Sequence, residues 1–148
     1  MDVKIKKLNE DAVIPKYAHD TDAGLDLVAT SYEYKDDIKC HVYGTGLAFE
    51  IPKGHVGLIF PRSSNRKTES YLTNHVGVID SGYRGEVMFS FKTRDFKEGE
   101  IQQLNKPYEV GDRVGQLIIM PYPKVHFIEV DELNSSDRGD NGHGSTGK

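Results

Sequence analysis

The densest group of reactive side chains lies in the stretch GVIDSGYRGE, residues 77–86. It sets a carboxylate (Asp80), a phenol (Tyr83) and a guanidinium (Arg84) among three glycines. Glycine suits a tight turn because it adopts backbone conformations that other residues avoid. An aspartate in a turn often only caps its own backbone. It can also orient and polarise a water molecule, which makes Asp80 the first candidate for chemistry.

A second polar group is the segment PRSSN, residues 61–65, which supplies donors for an anion. Arg62 offers a guanidinium, Ser63 and Ser64 offer hydroxyls, and a following helical turn would expose backbone N–H groups. Alone, such a segment is also an ordinary polar loop. We therefore regard these three residues as candidate phosphate ligands.

Two further polar residues stand inside apolar runs. Gln116 interrupts the run VGQLIIM, and Asp26 lies between Leu25 and Leu27. A buried amide without a hydrogen-bond partner costs about 1–3 kcal/mol, so each of these side chains is expected to have a partner. A buried structural aspartate is the alternative interpretation for Asp26.

The composition excludes several classes of protein. The chain has 148 residues, which is the length of a single domain. Its net charge of -4 offers no continuous basic face, so no direct nucleic-acid binding is expected. No window approaches the 18 apolar residues of a membrane span, and no secretory leader is recognisable. We expect a cytoplasmic protein without a membrane segment. The six histidines have no metal-site spacing.

Short alternating apolar runs with turn residues between them indicate an all-β fold, either a sandwich or a jelly roll. Val87, Phe89 and Phe91 would share the buried face of one strand. At most one short helix is expected, in residues 64–72, with Ser64 or Asn65 as its N-cap. The other predicted strands are 45–51, 55–60, 112–121 and 125–130.

After the domain, expected to span residues 1–133, the composition changes. Residues 134–148 are rich in glycine and polar side chains and cannot form a core. A disordered tail is one interpretation. The other is an arm that wraps an anion with Arg138 and with the backbone and hydroxyls of the Gly-Ser-Thr-Gly cluster, which contains Gly144, Ser145 and Thr146.

Taken together, five segments closely resemble the five motifs of the trimeric dUTPase family, the deoxyuridine triphosphate nucleotidohydrolases. The resemblance spans nearly the whole chain. The segments, in order, are DAGLDL (22–27), PRSSN (61–65), NHVGVIDSGYRGE (74–86), DRVGQLIIMP (112–121) and DRGDNGHGSTG (137–147).

The resemblance implies a distorted jelly roll that forms a homotrimer, with active sites shared between subunits and closed by the C-terminal arm. The implied reaction is Mg²⁺-dependent hydrolysis of dUTP to dUMP and pyrophosphate. In it Asp80 activates the water, Asp26 holds water on Mg²⁺, and Gln116 lies by the phosphates and the attacking water. Arg62, Ser63, Ser64 and Arg138 would bind the phosphates, with Gly144, Ser145 and Thr146 around the terminal one.

For the nucleoside, the resemblance implies a β-hairpin over residues 74–88 that reads uracil through its backbone. The Tyr83 ring would exclude a ribose 2′-hydroxyl by packing beneath the sugar. Glycines 77, 82 and 85 would allow close approach to the base. The residues that would contact or line the base are Asn74, Gly77, Val78, Ile79 and Met88.

Three alternatives remain open at this stage. One is a regulatory protein that senses dUTP with the same pocket and binds a protein partner. Another is an enzyme of the dCTP deaminase type. The third is a structural jelly roll without a ligand, which leaves Gln116 and the tail unexplained. Release of pyrophosphate separates the first two from a dUTPase.

His143 occupies the place where family arms usually carry a phenylalanine that stacks on uracil. Imidazole buries less area and titrates near neutrality, so it stacks less strongly. We predict that His143→Phe lowers KM for dUTP severalfold, measured by steady-state kinetics between about pH 6 and pH 8. An unchanged or raised KM across that range would contradict stacking by this residue.

Overall fold

The computed structural model describes residues 1–93 and 106–142, and these residues form ten short strands and one short 3₁₀ turn. The strands are β1 (Lys4–Lys7), β2 (Leu25–Val28), β3 (Ser31–Lys35), β4 (Cys40–Gly44), β5 (Leu47–Glu50), β6 (His55–Phe60), β7 (Ser70–Leu72), β8 (Gly77–Ile79), β9 (Met88–Thr93) and β10 (Arg113–Pro121).

All strand pairs are antiparallel. One four-stranded sheet has the order β2-β10-β6-β8 and a second has the order β3-β4-β9-β7, while β1 and β5 form a separate pair. The all-β fold class predicted from the sequence is therefore confirmed. Consecutive strands often lie in different sheets, which is the connectivity of a jelly roll rather than of a simple meander.

The core lies between the sheets and is built from alternate residues of the central strands. Val87, Phe89 and Phe91 are 1%, 0% and 0% exposed, as the alternation predicted. Each fully buried side chain of this size contributes about 1.5–3 kcal/mol relative to an exposed one. The other large side chains of this core are Leu27, Tyr43, Leu47, Phe49, Ile51, Ile59, Leu72, Tyr108, Val114 and Leu117.

Tyr108 fixes the chain where it re-enters the described structure before β10. The buried Tyr43 hydroxyl donates to the Tyr108 carbonyl at 2.8 Å and accepts from the Tyr108 N–H at 3.1 Å. The two rings meet edge to face, with centroids 6.0 Å apart. This double hydrogen bond satisfies a buried backbone segment that belongs to no strand.

The predicted segment does contain one short helical element, but its bounds and its N-cap differ from the prediction. Residues Ser63–Lys67 form a 3₁₀ turn whose N-cap is Arg62, without a side-chain capping bond. Asn65 cannot act as the cap because its side chain is used elsewhere. It donates to the Ser70 carbonyl at 2.9 Å and accepts from the Tyr108 hydroxyl at 3.0 Å.

The strand predicted for residues 125–130 is also wrong for the single chain. The segment has no strand, and Phe127 and Ile128 are 89% and 80% exposed. A strand requires a neighbour for its backbone, and no strand within residues 1–93 or 106–142 pairs with this segment. The alternating pattern is real, but its apolar face is uncovered here.

His41 is the one buried histidine in the described ranges, at 1% exposure. Its Nδ1 lies 3.1 Å from the Tyr32 hydroxyl, and the rings of Tyr32 and Tyr34 pack against it. Burial lowers the pKa of His41 below its usual 6.5. Below about pH 6.5 the unfolded chain therefore binds a proton that the folded chain does not, and the free energy of unfolding falls as the pH falls.

We predict that His41→Gln makes the free energy of unfolding less dependent on pH between about pH 5 and pH 6.5. Denaturant titrations over this range measure the slope. His19→Gln, at an exposed position that lines neither of the two cavities described below, is the control and should keep the wild-type slope. An unaltered slope in His41→Gln would show that other groups carry the acid sensitivity.

Candidate active site

One cavity of about 320 Å³ opens beside β8 and the loop that follows it. We call it the Asp80 cavity. It brings together seven of the residues that the sequence assigned to the base, the sugar and the water, but not Gln116, which lines another cavity. Its lining residues are Ile59, Asn74, Gly77, Val78, Ile79, Asp80, Tyr83, Glu86, Met88 and Ser90.

The backbone of β8 is available to a ligand because β8 lies at the edge of its sheet. It pairs with β6 on one side, and no described strand lies on the other. Val78 is 63% exposed, whereas Gly77 is buried. A Cβ on Gly77 would lie 2.4 Å from Cγ1 of Ile59, so only glycine lets β8 lie this close to β6.

The predicted hairpin over residues 74–88 is wrong. Strands β8 and β9 belong to different sheets, so residues 80–87 cross between the sheets instead of closing a hairpin. The cavity is formed at this crossing. An edge strand offers a row of unpaired backbone donors and acceptors. Backbone groups that could hydrogen-bond a base are therefore available even without the hairpin.

The crossing loop has several hydrogen bonds of its own. The Tyr83 N–H donates to the Asp80 carbonyl at 3.0 Å, which closes a tight turn. Nη1 of Arg84 donates to the carbonyls of Ser81 and Tyr83 at 2.7 and 2.8 Å. Arg84 therefore bridges two backbone carbonyls of the loop.

The Asp80 carboxylate is exposed, and no hydrogen bond to it is formed within residues 1–93 and 106–142. Its side chain therefore does not cap its own turn. A carboxylate without a partner is solvated, and it can accept a hydrogen bond from a water molecule held beside a substrate.

A second cavity, of about 500 Å³, lies where β2, β10 and the end of β6 meet. We call it the Arg62 cavity. It contains three residues assigned from the sequence, Asp26, Arg62 and Gln116, together with basic and acidic side chains that the sequence did not single out. Its full lining is Lys16, Ala18, Asp22, Ala23, Gly24, Asp26, Arg62, Arg113, Gln116 and Ile118.

Asp26 is bound by two arginines. Nε and Nη2 of Arg62 donate to its two oxygens at 2.7 and 3.2 Å, and Nη1 of Arg113 donates at 3.1 Å. The side chains of Asp26 and Arg62 are 29% and 24% exposed, so the pair is partly shielded from solvent. Two guanidinium groups against one carboxylate leave an excess positive charge, which favours a bound anion.

Gln116 has the partner that its place in an apolar strand requires. Its Nε2 donates to the Pro61 carbonyl at 3.3 Å. The β10 register sets Gln116 opposite both Asp26 and Phe60, which explains its place beside the arginine pair. On the other side, Oε1 of Gln116 lies 2.4 Å from where a Cβ on Gly24 would be.

Ser64 lies next to the same arginine, with its hydroxyl 3.4 Å from Nη1 of Arg62. Ser63 is exposed at the start of the 3₁₀ turn and lines neither cavity. Arg138 also lines neither cavity, and its Nε donates to the Asn141 carbonyl at 2.9 Å. The remaining candidates, His143, Gly144, Ser145 and Thr146, lie outside the described residues.

The two cavities share no lining residue, so they hold the candidate residues of the described ranges as two separate groups. Sequence reasoning also missed several lining residues. Ser90 follows Met88 on the same side of β9, so strand alternation could have indicated it. Arg113 and Lys16 give no such signal, because charged residues beside a strand are usually on a solvated surface.

The donor set for a metal is small. Within residues 1–93 and 106–142, no group of three or more His, Cys, Asp or Glu side chains could hold an ion. The sequence assigned one acidic side chain to the metal, Asp26. It lies beside the arginine pair and Gln116. This set fits Mg²⁺, which commonly keeps most of its waters and binds through one or two carboxylates plus substrate phosphates.

No helix in the described ranges is long and apolar enough to cross a membrane. Together, the antiparallel two-sheet scaffold, the edge-strand cavity with a free carboxylate and the arginine-lined cavity define a jelly-roll protein of the nucleotide-hydrolase class.

Comparison with known proteins gives the family. The dUTPase family model matches residues 10–147, and the chain belongs to the dUTPase family. The deoxyuridine 5'-triphosphate nucleotidohydrolase of Corynebacterium glutamicum is 40% identical over 99% of this chain and 95% of its own length. That of Clostridium tetani is 38% identical over 99% of this chain and 97% of its own. The chain is thus a dUTP diphosphatase by family.

Solved structures that are similar to this chain are also dUTPases. A mutant dUTPase of Staphylococcus bacteriophage 80alpha with dUpNHpp is 26% identical, has a TM-score of 0.78 and is covered over 99% of both chains. A mutant dUTPase of phage phi11 of S. aureus, described as coordinating a structural Mg(II) ion, is also 26% identical. It has a TM-score of 0.71, with 89% of this chain and 98% of that chain covered.

We predict that Gly24→Ala lowers kcat for dUTP about tenfold or more without unfolding the protein. The new methyl group would overlap the Gln116 amide, which is the end of a flexible side chain and so rotates away. Steady-state kinetics and circular dichroism measure the two effects. Lys53→Ala, at an exposed turn position that lines neither cavity, is the control and should keep wild-type turnover. Equal activity of the two variants would contradict a requirement for the observed amide position.

Proposed function

We propose that the chain is a Mg²⁺-dependent, homotrimeric dUTP diphosphatase that acts in the cytoplasm and hydrolyses dUTP to dUMP and pyrophosphate. Such an activity limits incorporation of uracil into DNA and supplies dUMP for dTMP synthesis. The observation that carries the proposal is the Asp80 cavity. It joins an edge of β8 that no described strand pairs with, a phenol ring and a carboxylate without a hydrogen bond from the described residues, all within one small space.

Uracil would be read by the outer edge of β8. The free backbone groups around Val78 and Ile79, with the Asn74 amide, offer donors and acceptors arranged like those of a pairing base. Gly77, Met88 and Ser90 shape the rest of the cavity. Cytosine would leave donors and acceptors unmatched, and an unmet buried group costs about 1–3 kcal/mol. The thymine methyl group would have to fit into a cavity of about 320 Å³ that also holds the sugar.

The Tyr83 ring would lie beneath the deoxyribose. Its edge is held in the loop by the hydroxyl, which donates to the Glu86 carbonyl at 3.1 Å. A ring fixed in this way leaves no space for a 2′-hydroxyl, so the pocket rejects UTP by steric overlap rather than by a missing hydrogen bond.

Asp80 would orient the water that attacks the α-phosphorus. The water forms a bond to that phosphorus, the bond to the oxygen bridging the α and β phosphates breaks, and pyrophosphate leaves with the bonding pair. The proton of the water passes to the Asp80 carboxylate and then to solvent. Positioning and charge stabilisation supply most of the rate in phosphoryl transfer, so Asp80 needs only to aim and polarise the water.

The triphosphate would be bound by residues of the Arg62 cavity and the arm. Asp26 holds the Arg62 guanidinium at two points and so limits its rotation. Gln116 is fixed beside them through the Pro61 carbonyl. The other proposed ligands are Ser63, Ser64, Arg138, Gly144, Ser145 and Thr146, with His143 stacking on uracil.

Mg²⁺ would be held mainly by the phosphates, with the Asp26 carboxylate contacting its water shell. The ion would neutralise charge on the phosphates. One fact supports this assignment: Asp26 is partly exposed at the wall of the Arg62 cavity. The phi11 phage relative is described as coordinating a structural Mg(II) ion, which is a different role from an ion on the substrate phosphates.

A homotrimer would unite the two half-sites. The Asp80 and Arg62 cavities are separate in one chain, although the proposed reaction needs the residues of both. Apposing the Asp80 cavity of one subunit to the Arg62 cavity of another satisfies that need. Oligomer formation would also cover the exposed apolar side chains of residues 125–133, which a single chain leaves in water.

A regulatory role is the second candidate, in which dUTP binding controls contact with a protein partner. One observation favours it: the phage 80alpha dUTPases are described as controlling transfer of virulence genes by a G protein-like mechanism. That relative is 27% identical, with a TM-score of 0.76 over 99% of this chain. A pure sensor would bind dUTP without releasing pyrophosphate.

We predict that Asp80→Asn lowers kcat for dUTP by about 10²-fold or more with little change in Kd for a non-hydrolysable dUTP analogue. The amide is isosteric but accepts the water's proton far less readily. Pyrophosphate release and calorimetric binding measure the two quantities. Asp36→Asn, an exposed carboxylate paired with Lys39, is the control and should keep wild-type turnover. Wild-type turnover in Asp80→Asn would refute the assignment.

A further inference from the structure

We infer that Gly85 and Glu86 hold the Tyr83 ring in position and thereby determine how strongly the enzyme rejects ribonucleotides. This inference rests on the proposed role of Tyr83 in excluding a 2′-hydroxyl. It adds two positioning residues whose contacts with the ring are visible in the described structure.

Gly85 gives the ring its place. A Cβ at residue 85 would lie 2.4 Å from the Tyr83 hydroxyl oxygen, 2.5 Å from Cζ and 3.0 Å from Cε2. All three atoms belong to the far end of the Tyr83 side chain. The phenol therefore occupies the volume that any other residue at position 85 would fill with its own Cβ.

Glu86 supplies the hydrogen bond that holds the ring there. Its carbonyl accepts from the Tyr83 hydroxyl at 3.1 Å. Its side chain is also used, because Oε1 accepts from the Gly46 N–H at 2.7 Å. The residue thus joins the ring to the backbone just before β5, in the core of the fold.

The chain on the far side of Glu86 is also fixed. The Val87 N–H donates to the Leu47 carbonyl at 2.9 Å, and the Thr45 hydroxyl donates to the Val87 carbonyl at 2.7 Å. Thr45 and Val87 are 0% and 1% exposed. The Glu86 carbonyl therefore cannot follow the Tyr83 ring if the ring is displaced.

The backbone of Tyr83 is held as well. Its N–H donates to the Asp80 carbonyl at 3.0 Å, and its carbonyl accepts from Arg84 at 2.8 Å. Its side chain is 42% exposed, so the ring has solvent on one side. With both ends of the loop fixed, a methyl group at position 85 would be relieved by rotation of the ring towards solvent, not by loss of the fold.

Gly82 provides the matched contrast. It lies in the same loop, three residues from Gly85, and a Cβ there would meet nothing within 4 Å. The expected role of the loop glycines in close approach to uracil stays a prediction, and it would affect dUTP and UTP alike. In the single chain, Gly85 is required by the Tyr83 ring, whereas no described atom crowds Gly82.

The test compares kcat/KM for dUTP with kcat/KM for UTP in wild type, Gly85→Ala and Gly82→Ala. We expect the dUTP:UTP ratio to fall about tenfold or more in Gly85→Ala and to stay within about twofold of wild type in Gly82→Ala. A loss of folded or assembled enzyme lowers both rates equally and leaves the ratio unchanged. The ratio therefore reports the position of the ring and not stability.

Glu86 provides a second, independent arm of the test. Glu86→Ala removes the acceptor for the Gly46 N–H and should lower the same ratio. Glu86→Gln keeps an oxygen at that position and should restore most of it. Competition by dUMP and UMP, measured as Ki, gives a binding readout that does not depend on turnover and should show the same order of variants.

The outcomes separate this inference from the proposed function. A wild-type enzyme that does not hydrolyse dUTP, or that accepts UTP equally, refutes the proposed function or the role of Tyr83. A selective wild type with an unchanged ratio in Gly85→Ala overturns the role of Gly85. If Gly85→Ala does not fold, the Glu86 pair decides, and an equal ratio in Glu86→Ala and Glu86→Gln overturns the inference.

Discussion

The site depends on one constraint: the chain must cross from the edge of one sheet to the other between β8 and β9. The far side of this crossing is pinned to the residues before and within β5, through the Glu86 carboxylate, the Val87 backbone and the Thr45 hydroxyl. Because these bonds are buried or partly buried, breaking one costs more than breaking a bond at the surface. A short loop between two fixed ends can hold a carboxylate and a phenol at a defined separation.

The second half of the site has a different physical basis. The Arg62 cavity is ordered by charge, with one carboxylate between two guanidinium groups and an amide beside them. The Asp80 cavity is ordered by backbone and by shape. This division suits the substrate, since a base and a sugar are distinguished by shape and hydrogen bonds, whereas phosphates are held by charge. Neither half alone can carry out the hydrolysis proposed for the protein.

Sequence alone predicted the parts of the fold that depend on local pattern. The alternation in β9 and the run that forms β6 are both in the structure as expected. The errors fall where a distant residue decides. Asn65 was expected to cap a helix, but Tyr108, forty-three positions away along the chain, binds its side chain. The hairpin prediction was wrong because β8 pairs with β6. Strand pairing depends on contacts between segments that lie apart in the sequence, and the local pattern does not show them.

The same distinction holds for the site. Gln116 could be selected because an amide is unusual within an apolar strand, whereas the roles of Asp80 and Tyr83 came from the resemblance of their segment to a family motif. Gly85 and Glu86 could not be selected, because a glycine and a glutamate in a turn have ordinary explanations, and their roles depend on where the Tyr83 ring lies. Arg113 belongs to the same group. Its contact with Asp26 spans eighty-seven positions, and it follows from the pairing of β10 with β2.

The uncovered apolar side chains after β10 have a consequence for handling the protein. Phe127 and Leu133 are each 89% exposed, and fully burying a side chain of this size is worth about 1.5–3 kcal/mol. In the proposed homotrimer, that free energy would be gained when the chains associate. Apparent thermal stability should then increase with protein concentration, and strong dilution should dissociate the assembly and lower turnover.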